Sequence, residues 1–504
     1  MGRSIGRRTA RVVLATLALG AGLAPMAVVA PASGAPIVDC SQAATRVQLT
    51  ASADLDPTCT YTAGFDITAS NVTLDCKGAA IHGAIDAAGV GIQVSTPSDT
   101  ELAHVVVRNC HVSGFLNSLR VTRPGFRTLT AGHEYDHPTS DIVIEDSTFT
   151  GSRGVGVYVD GYVTGVTIRR NSITHAGSSG IYLEGGSKGS EVVGNEIDDN
   201  GFRENGPDGQ TIDIGGTTFW YWGVGREGIS VDGSSENHIA DNHLTGNSAG
   251  GIFLYKNCGE YPNSGRYFER RTPSDRNLIE ANVFEGGRNG VWVGSRMAEN
   301  TLPMACTDPA YIDEAARRVV LDHAAHNTIS GNSFRNVTYG IRVEDDDTTV
   351  AGNAFAGSAP DHHAIIVGTP LRAEVLHRPV LDTVLRDNVS TIVGNANPYR
   401  TIPGEVGTAA SGNVALGQAV GVCAGVPLPR QTFIFVIAVK ADDGSGTKPP
   451  TPDLRVPTVG ALPACAKAGG GSTTTTSTTE PTTGPLPGDA APATPIPGTA
   501  SFTG

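Results

Sequence analysis

GVTIRRNSITHAGSSGIYLE, running from Gly165 to Glu184, carries the two patterns that decide the fold. Its first part alternates apolar Val166 and Ile168 with polar neighbours and stops at Asn171. Its last part, Gly180-Ile-Tyr-Leu-Glu184, alternates again behind a glycine. Short alternation with β-branched residues in the apolar places marks a half-buried strand. Both patterns recur along the chain. Asn-ended strands close at Asn195, Asn242, Asn282, Asn332 and Asn353, and glycine-led strands open at Gly156, Gly228, Gly251, Gly290 and Gly340. Gly156 to Gly180 is 24 residues and Gly228 to Gly251 is 23. A fixed period of this size means a solenoid whose repeats bury their faces against one another. Two or three short strands per repeat, with no helical segment between them, point to a β-helix. Stacked coils place each Asn above the last, where its amide bonds along the column, so the Asn series is expected to be structural. The glycine before each Ile is expected to serve a turn conformation that a side chain would obstruct.

These repeats resemble the right-handed parallel β-helix family, the pectate-lyase-like superfamily and its NosD-like relatives, over about residues 68 to 400. The resemblance implies an all-β, right-handed parallel β-helix with coils of about 22 to 24 residues. It is nearly silent on function, because lyases, epimerases, glycosidases, adhesins and phage tailspikes share this scaffold.

The ends of the chain read differently. Arg3, Arg7, Arg8 and Arg11 precede an uncharged apolar run, Val12 to Val29, and small residues follow, so residues 1–35 are read as a signal peptide. No other stretch approaches the ~18 apolar residues of a membrane span. Residues 36–67 are expected to cap the N-terminal coil, 68–393 to form the helix, and 394–466 to form a C-terminal cap around the apolar strand Thr432 to Val439. From 467 to 504 the chain is Thr, Pro and Gly, too poor in apolar residues to fold, and suits a spacer toward a cell wall. Eight cysteines follow the signal: Cys40, Cys59, Cys76, Cys110, Cys258, Cys306, Cys423 and Cys465. None has zinc or thioredoxin spacing, and an even count in an exported chain favours disulfides. Nearest-neighbour pairing is the expectation among many connectivities. A net charge of -14 argues against nucleic-acid partners. Four methionines and the lack of Cys/His clusters argue against copper handling, and His362 and His363 read as exposed turn histidines.

In the glycine-led strands the Ile and Val point inward, so the residues between and after them point out. The first outward column is Gln93, Arg120, Tyr158, Tyr182, Ser230, Phe253, Trp292, Arg342. The second is Ser95, Thr122, Asp160, Glu184, Asp232, Tyr255, Gly294, Glu344. Arg226 and Arg288 lie two positions before their glycines. Insertions at 123–139, 202–225, 256–276 and 295–326 flank this sheet, and one contains Phe219-Trp-Tyr-Trp222. Long loops around one face of a rigid scaffold build a binding cleft. Aromatic rings beside polar groups suit sugars, so a polysaccharide is the expected partner. Tyr158, Tyr182, Arg226, Phe253, Trp292, Arg342, Trp220 and Trp222 are the candidate substrate contacts. Stacked carboxylates at Asp160, Glu184 and Asp232 repel unless neutralised, which a Ca²⁺ ion would do. By resemblance to pectate-lyase-like enzymes, these three would hold the ion against a uronate carboxylate. Arg226, Arg288 and Arg342 would neutralise the uronate, and Lys256 or Tyr255 would exchange the C5 proton. A lyase or C5-epimerase on a uronic-acid polymer is therefore the leading expectation. The alternatives are a glycoside hydrolase using two of the carboxylates and a non-catalytic glycan-binding adhesin.

Overall fold

The computed structural model describes residues 34–84, 89–207, 209–214, 217–257, 268–294, 296–299, 310–314, 317–369, 372, 379–402, 407–423, 436–442, 444 and 447–452. The signal-like residues 1–33 and the Thr/Pro tail lie outside them. One coil shows the plan of the rest. Thr164–Arg169 belongs to a first sheet, Ser172–Thr174 to a second and Ile181–Leu183 to a third. These sheets hold 13, 13 and 12 strands among the described residues, and successive coils pair in parallel. The register is strict. Ile144, Ile168, Val192, Ile239, Ile279, Ile329, Val350 and Leu385 stand one above another, all fully buried. A one-residue slip would turn this whole column to solvent, which is why the pattern specifies the stacking. Phe284, Phe334 and Phe355 stack likewise, with ring centroids 4.6 and 4.8 Å apart.

The corner between the first and second sheets is held by asparagines. Asn171, Asn195, Asn242, Asn282, Asn332, Asn353, Asn388 and Asn413 form an unbroken ladder. Each Oδ1 accepts the backbone N–H of the Asn one coil earlier, at 2.9 to 3.1 Å. The residue before each ladder Asn takes a left-handed conformation, as at Gly331 (φ 65°) and Ala281 (φ 55°). That sharp corner leaves backbone groups facing inward, and the amides satisfy them. A shorter ladder, Asn237, Asn277 and Asn327, serves another corner. The glycines that open the third-sheet strands have a different reason from the expected one. A Cβ on Gly290 would lie 2.4 Å from the Gly340 carbonyl oxygen, and one on Gly340 would lie 2.6 Å from that of Ala364. Close approach of coils, not an unusual φ, excludes a side chain there.

The coil limits also differ from the sequence reading. Ile37–Val38 already pairs with Asp54–Leu55, and Ala409–Ser411 with Val384–Arg386. Stacking therefore begins inside the expected N-terminal cap and continues beyond residue 393, because short coils with weak alternation still pair. Cys40–Cys59 and Cys76–Cys110 are disulfides near this first end. Cys423 is disulfide-bonded, while Cys258, Cys306 and Cys465 lie outside the described residues. Gln418–Ala419 turns back antiparallel on Val414–Ala415 at the far end. The apolar C-terminal strand, Val436–Ala441, does not sit on that end. It pairs antiparallel with Thr217–Gly223, whose other neighbour is Gln210–Ile214, making a three-stranded sheet. No helix among the described residues is long and apolar enough to cross a membrane.

His363 is not an exposed turn residue. It sits in the third-sheet strand His363–Val367 at 2 % exposure, stacked on Tyr339 at 5.7 Å. Burial, reinforced by the Arg400 charge, pushes its imidazole down to about 4. The unfolded chain takes up this proton below about pH 6.5 while the folded chain resists until about 4, so acid favours unfolding across that window. His363→Leu is expected to remove up to about 3 kcal/mol of the stability lost between pH 6.5 and 4. Denaturant unfolding at both pH values measures it. Equal pH sensitivity in parent and variant would refute the assignment.

Candidate functional site

The outward columns of the third sheet stand as the alternation demands. Arg120, Tyr158, Tyr182, Ser230, Phe253, Trp292 and Arg342 follow one another in register. Tyr158 and Tyr182 stack at 5.1 Å, and Phe253 meets Trp292 edge-on at 5.3 Å. The expected open groove, however, is not there. Tyr158, Tyr182, Phe253 and Trp292 are buried, as are Asp160, Glu184 and Asp232. Parts of two insertions, 123–139 and 256–276, lie on this face instead of beside it. A Cβ on Gly185 would touch Arg270 at 3.2 Å and Phe268 at 3.5 Å, so the segment Phe268–Arg270 rests on the strand ends.

Burying this many carboxylates requires countercharges, and arginines supply them. Arg120 grips Asp160 through Nε (2.9 Å) and Nη2 (2.8 Å), and the Thr122 hydroxyl donates to the same carboxylate. Arg270 donates to Asp232 and reaches Glu184 at 3.3 Å. Asp232 also accepts from the Tyr182 hydroxyl (2.6 Å) and from the Asn257 backbone (2.7 Å) and side chain (2.9 Å). Asp160 and Asp232 are thus committed to guanidinium, hydroxyl and amide donors. The expected calcium site does not fit this arrangement. Among the described residues, one group of three cysteine, histidine or acidic residues has its ligand atoms all within 4.8 Å: Cys40, Asp56 and Cys59. Two of those are joined in a disulfide.

Glu184 is the exception within the cluster. Its Oε2 is buried with no hydrogen-bond partner. Burial pushes its carboxyl up to about 7, with Asp160 adding to the rise and Arg270 opposing it. A carboxylic acid that holds its proton near neutrality can act as a general acid or base. A pocket of about 400 Å³ lies close by, walled by Phe126, Arg127, Tyr162, Phe268, Glu269 and Arg271; Glu184 is not among the residues that line it. Gly161 and Gly185, the residues after Asp160 and Glu184, touch its walls. A Cβ on Gly161 would meet the Phe126 ring at 2.8 Å. The pocket therefore lies one residue from the two carboxyls, and the Arg127 charge acts on Glu184.

The other expected residues fall elsewhere. The Tyr255 hydroxyl accepts from Arg226 (2.8 Å) and donates to Glu227 (2.9 Å), and burial raises its pKa, which disqualifies it as a ready base. Arg226 is committed to that same buried trio rather than to a uronate. Arg342 bonds Glu344 and Asn289, two coils beyond Tyr255, and Arg288 precedes the strand Asn289–Val293 in the coil between. Neither cation is close to Glu184 along the stack. Lys256 is fully buried, with its stem near Gly233. A proton acceptor there would face no open space, so the sequence assignment of Lys256, Tyr255 and Arg288 as catalytic is not supported. Trp222 is buried, and Trp220 stacks on it at 6.2 Å while remaining partly exposed. Arg270 and Arg127 were missed because insertions have no period to place them, whereas Arg120 stood in the outward column and was legible.

Residues 84–302 match the model of a right handed beta helix region. No curated protein matches the sequence. Among solved structures, the A-module of mannuronan C-5 epimerase AlgE6 from Azotobacter vinelandii is 13% identical and covers 75% of this chain and 88% of its own, with a TM-score of 0.49. The Dettilon tailspike protein is 14% identical over 74% of this chain and 62% of its own, also at 0.49. An alginate lyase from Paenibacillus is 10% identical over 76% of this chain and 98% of its own, at 0.32. With the in-register coils and the matched repeat region, the chain folds as a right-handed parallel β-helix.

Proposed function

We propose that this chain is an exported, carbohydrate-active enzyme that works on a uronic-acid-containing polymer by lyase or C5-epimerase chemistry at Glu184. The observation that carries the reading is the pocket beside a proton-holding carboxyl. Its rings, Phe126, Tyr162 and Phe268, suit the faces of a sugar, and Arg127 suits a uronate carboxylate, while Arg271 is held by Glu134 and Glu269. About 400 Å³ is within the size range of small-ligand sites. A carboxyl near 7 lets Glu184 act first as base and then as acid. Its carboxylate takes the C5 proton, the C–H electron pair forms the C4–C5 double bond as the C4–O bond breaks, and the protonated Glu184 gives that proton to the leaving oxygen. An epimerase differs in that water returns a proton to the opposite face of C5 and takes up the one on Glu184.

Hydrolysis is the second reading, favoured by one specific feature. Asp160 and Glu184 end adjacent strands, roughly 4.8 Å apart by strand spacing, close to the ~5 to 5.5 Å of a retaining carboxyl pair. Incubation with alginate, polygalacturonate and neutral glucans separates the readings. Ultraviolet-absorbing unsaturated ends mean lyase, solvent deuterium at C5 without cleavage means epimerase, and new reducing ends without unsaturation mean hydrolase. None of these on any acidic polymer refutes the proposal.

A further inference from the structure

We infer that a second glycan site lies in the groove beneath the hairpin Gln210–Gly223, away from the Glu184 pocket, and that it binds a polysaccharide chain bearing negative charge. The groove has a volume of about 1140 Å³. That exceeds the ~300 to 1,000 Å³ of a typical small-ligand pocket and suits several sugar rings. Its floor is the corner that leads from the second sheet into the third. Arg153, Gly177 and Arg203 lie on successive coils there, joined by backbone bonds from Gly177 to Ser152 (2.8 Å) and from Arg203 to Gly177 (3.0 Å). A Cβ on Gly177 would lie 2.2 Å from the Arg153 carbonyl oxygen, so bare backbone separates the two arginines. Two coil steps put them roughly 10 Å apart.

The roof is aromatic and fixed. Trp220 faces the groove and Phe202, 43 % exposed, stands at its edge. The Gln210 side chain ties the hairpin to the floor, donating to the Arg203 carbonyl oxygen (3.0 Å) and accepting from the Asn205 backbone (3.3 Å). The strand Val436–Ala441 braces the hairpin from its other side and sets exposed Lys440 opposite Trp220.

Charge selects the ligand. Arg120, Arg226, Arg270 and Arg342 are all committed to carboxylates. Among the described residues neither Arg153 nor Arg203 has an ion-pair partner, and Asp199, the acid in the groove, lies 4.0 Å from His175. A chain of net charge -14 thus presents a cationic strip beside stacking surfaces. Guanidinium groups recognise carboxylates and sulfates bidentately, and aromatic faces take sugar rings. The site stands whether or not Glu184 is catalytic.

Tryptophan fluorescence titration of the full chain tests this, using oligogalacturonate as the uronate probe, heparin oligosaccharide as the sulfate probe and maltoheptaose as the neutral one. At least one anionic probe is expected to bind, more weakly in high salt, with maltoheptaose silent. The uronate and sulfate arms identify the source of the charge. The double variant Arg153→Ala/Arg203→Ala is expected to weaken binding by at least about tenfold. Its melting temperature should equal the parent's, since neither guanidinium braces the fold. The inference is overturned if no anionic probe binds, if maltoheptaose binds equally, or if the double variant binds like the parent.

Discussion

Glu184→Gln is expected to abolish turnover of the uronate substrate and, above pH 7, to raise the melting temperature. The two effects share one cause. Burial holds the Glu184 carboxyl near 7 in the folded chain, whereas an unfolded glutamate titrates near 4.3. Above pH 7 the folded protein therefore keeps a buried charge that the unfolded chain would rather hold in water, and stability suffers. Below about pH 4.3 the acid is neutral in both states and the penalty is gone. Glutamine removes the penalty at high pH, by up to about 4 kcal/mol, and cannot exchange the proton. Thermal unfolding at pH 8 and pH 4, alongside product assays, reads both. A variant with full activity, or one no more stable at pH 8, sinks the role assigned to Glu184. Asp160→Asn would behave oppositely in stability, because it replaces the buried carboxylate that the half-buried Arg120 guanidinium grips by a weaker partner.

Asn282→Ala is expected to cost about 3 to 5 kcal/mol. Asn282 accepts from the backbone and side chain of Asn242, at 3.0 and 2.9 Å, and donates to the Ile239 carbonyl oxygen (2.8 Å) and to Asn332 (3.0 Å). Truncation strands these groups where water does not reach them, and each buried unsatisfied group costs about 1 to 3 kcal/mol. Because repeats are stabilised by neighbours, a defect in the middle of the stack weakens coils on both sides. Denaturant titration gives the loss, and a change below about 1 kcal/mol would show the ladder to be dispensable.

The ladder and the core were legible in the sequence because period and alternation are local properties. Asn195, Asn242 and Asn282 repeat whatever lies between them, and Ile168 points inward wherever its strand sits. The outward columns were legible for the same reason, down to Asp160, Glu184 and Asp232. Their surroundings were not. Whether an outward residue meets water depends on what an insertion does, and Phe268–Arg270 comes from a stretch with no repeat to place it. Reading exposure from strand direction thus turned a buried ionic cluster into an open calcium-binding groove. The glycine column shows the same limit. Its recurrence was visible, but the cause was contact with a coil that the sequence does not juxtapose. The apolar strand near residue 436 was recognised as a strand, while its partner, more than 200 positions earlier, was beyond any local signal.

That distant pairing gives the molecule a clock. A β-helix lengthens by laying each new coil on the one already present, so its strands find partners about one repeat away in sequence and soon after they are made. The hairpin Gln210–Gly223 is made halfway along, yet its outer edge waits for Val436–Ala441, which arrives after every coil has been synthesised. Until then the rod is essentially built and the roof of the groove has a free edge of unpaired backbone, open to any strand that comes near. A chain cut short just before residue 436 would keep its rod and carry that open edge permanently.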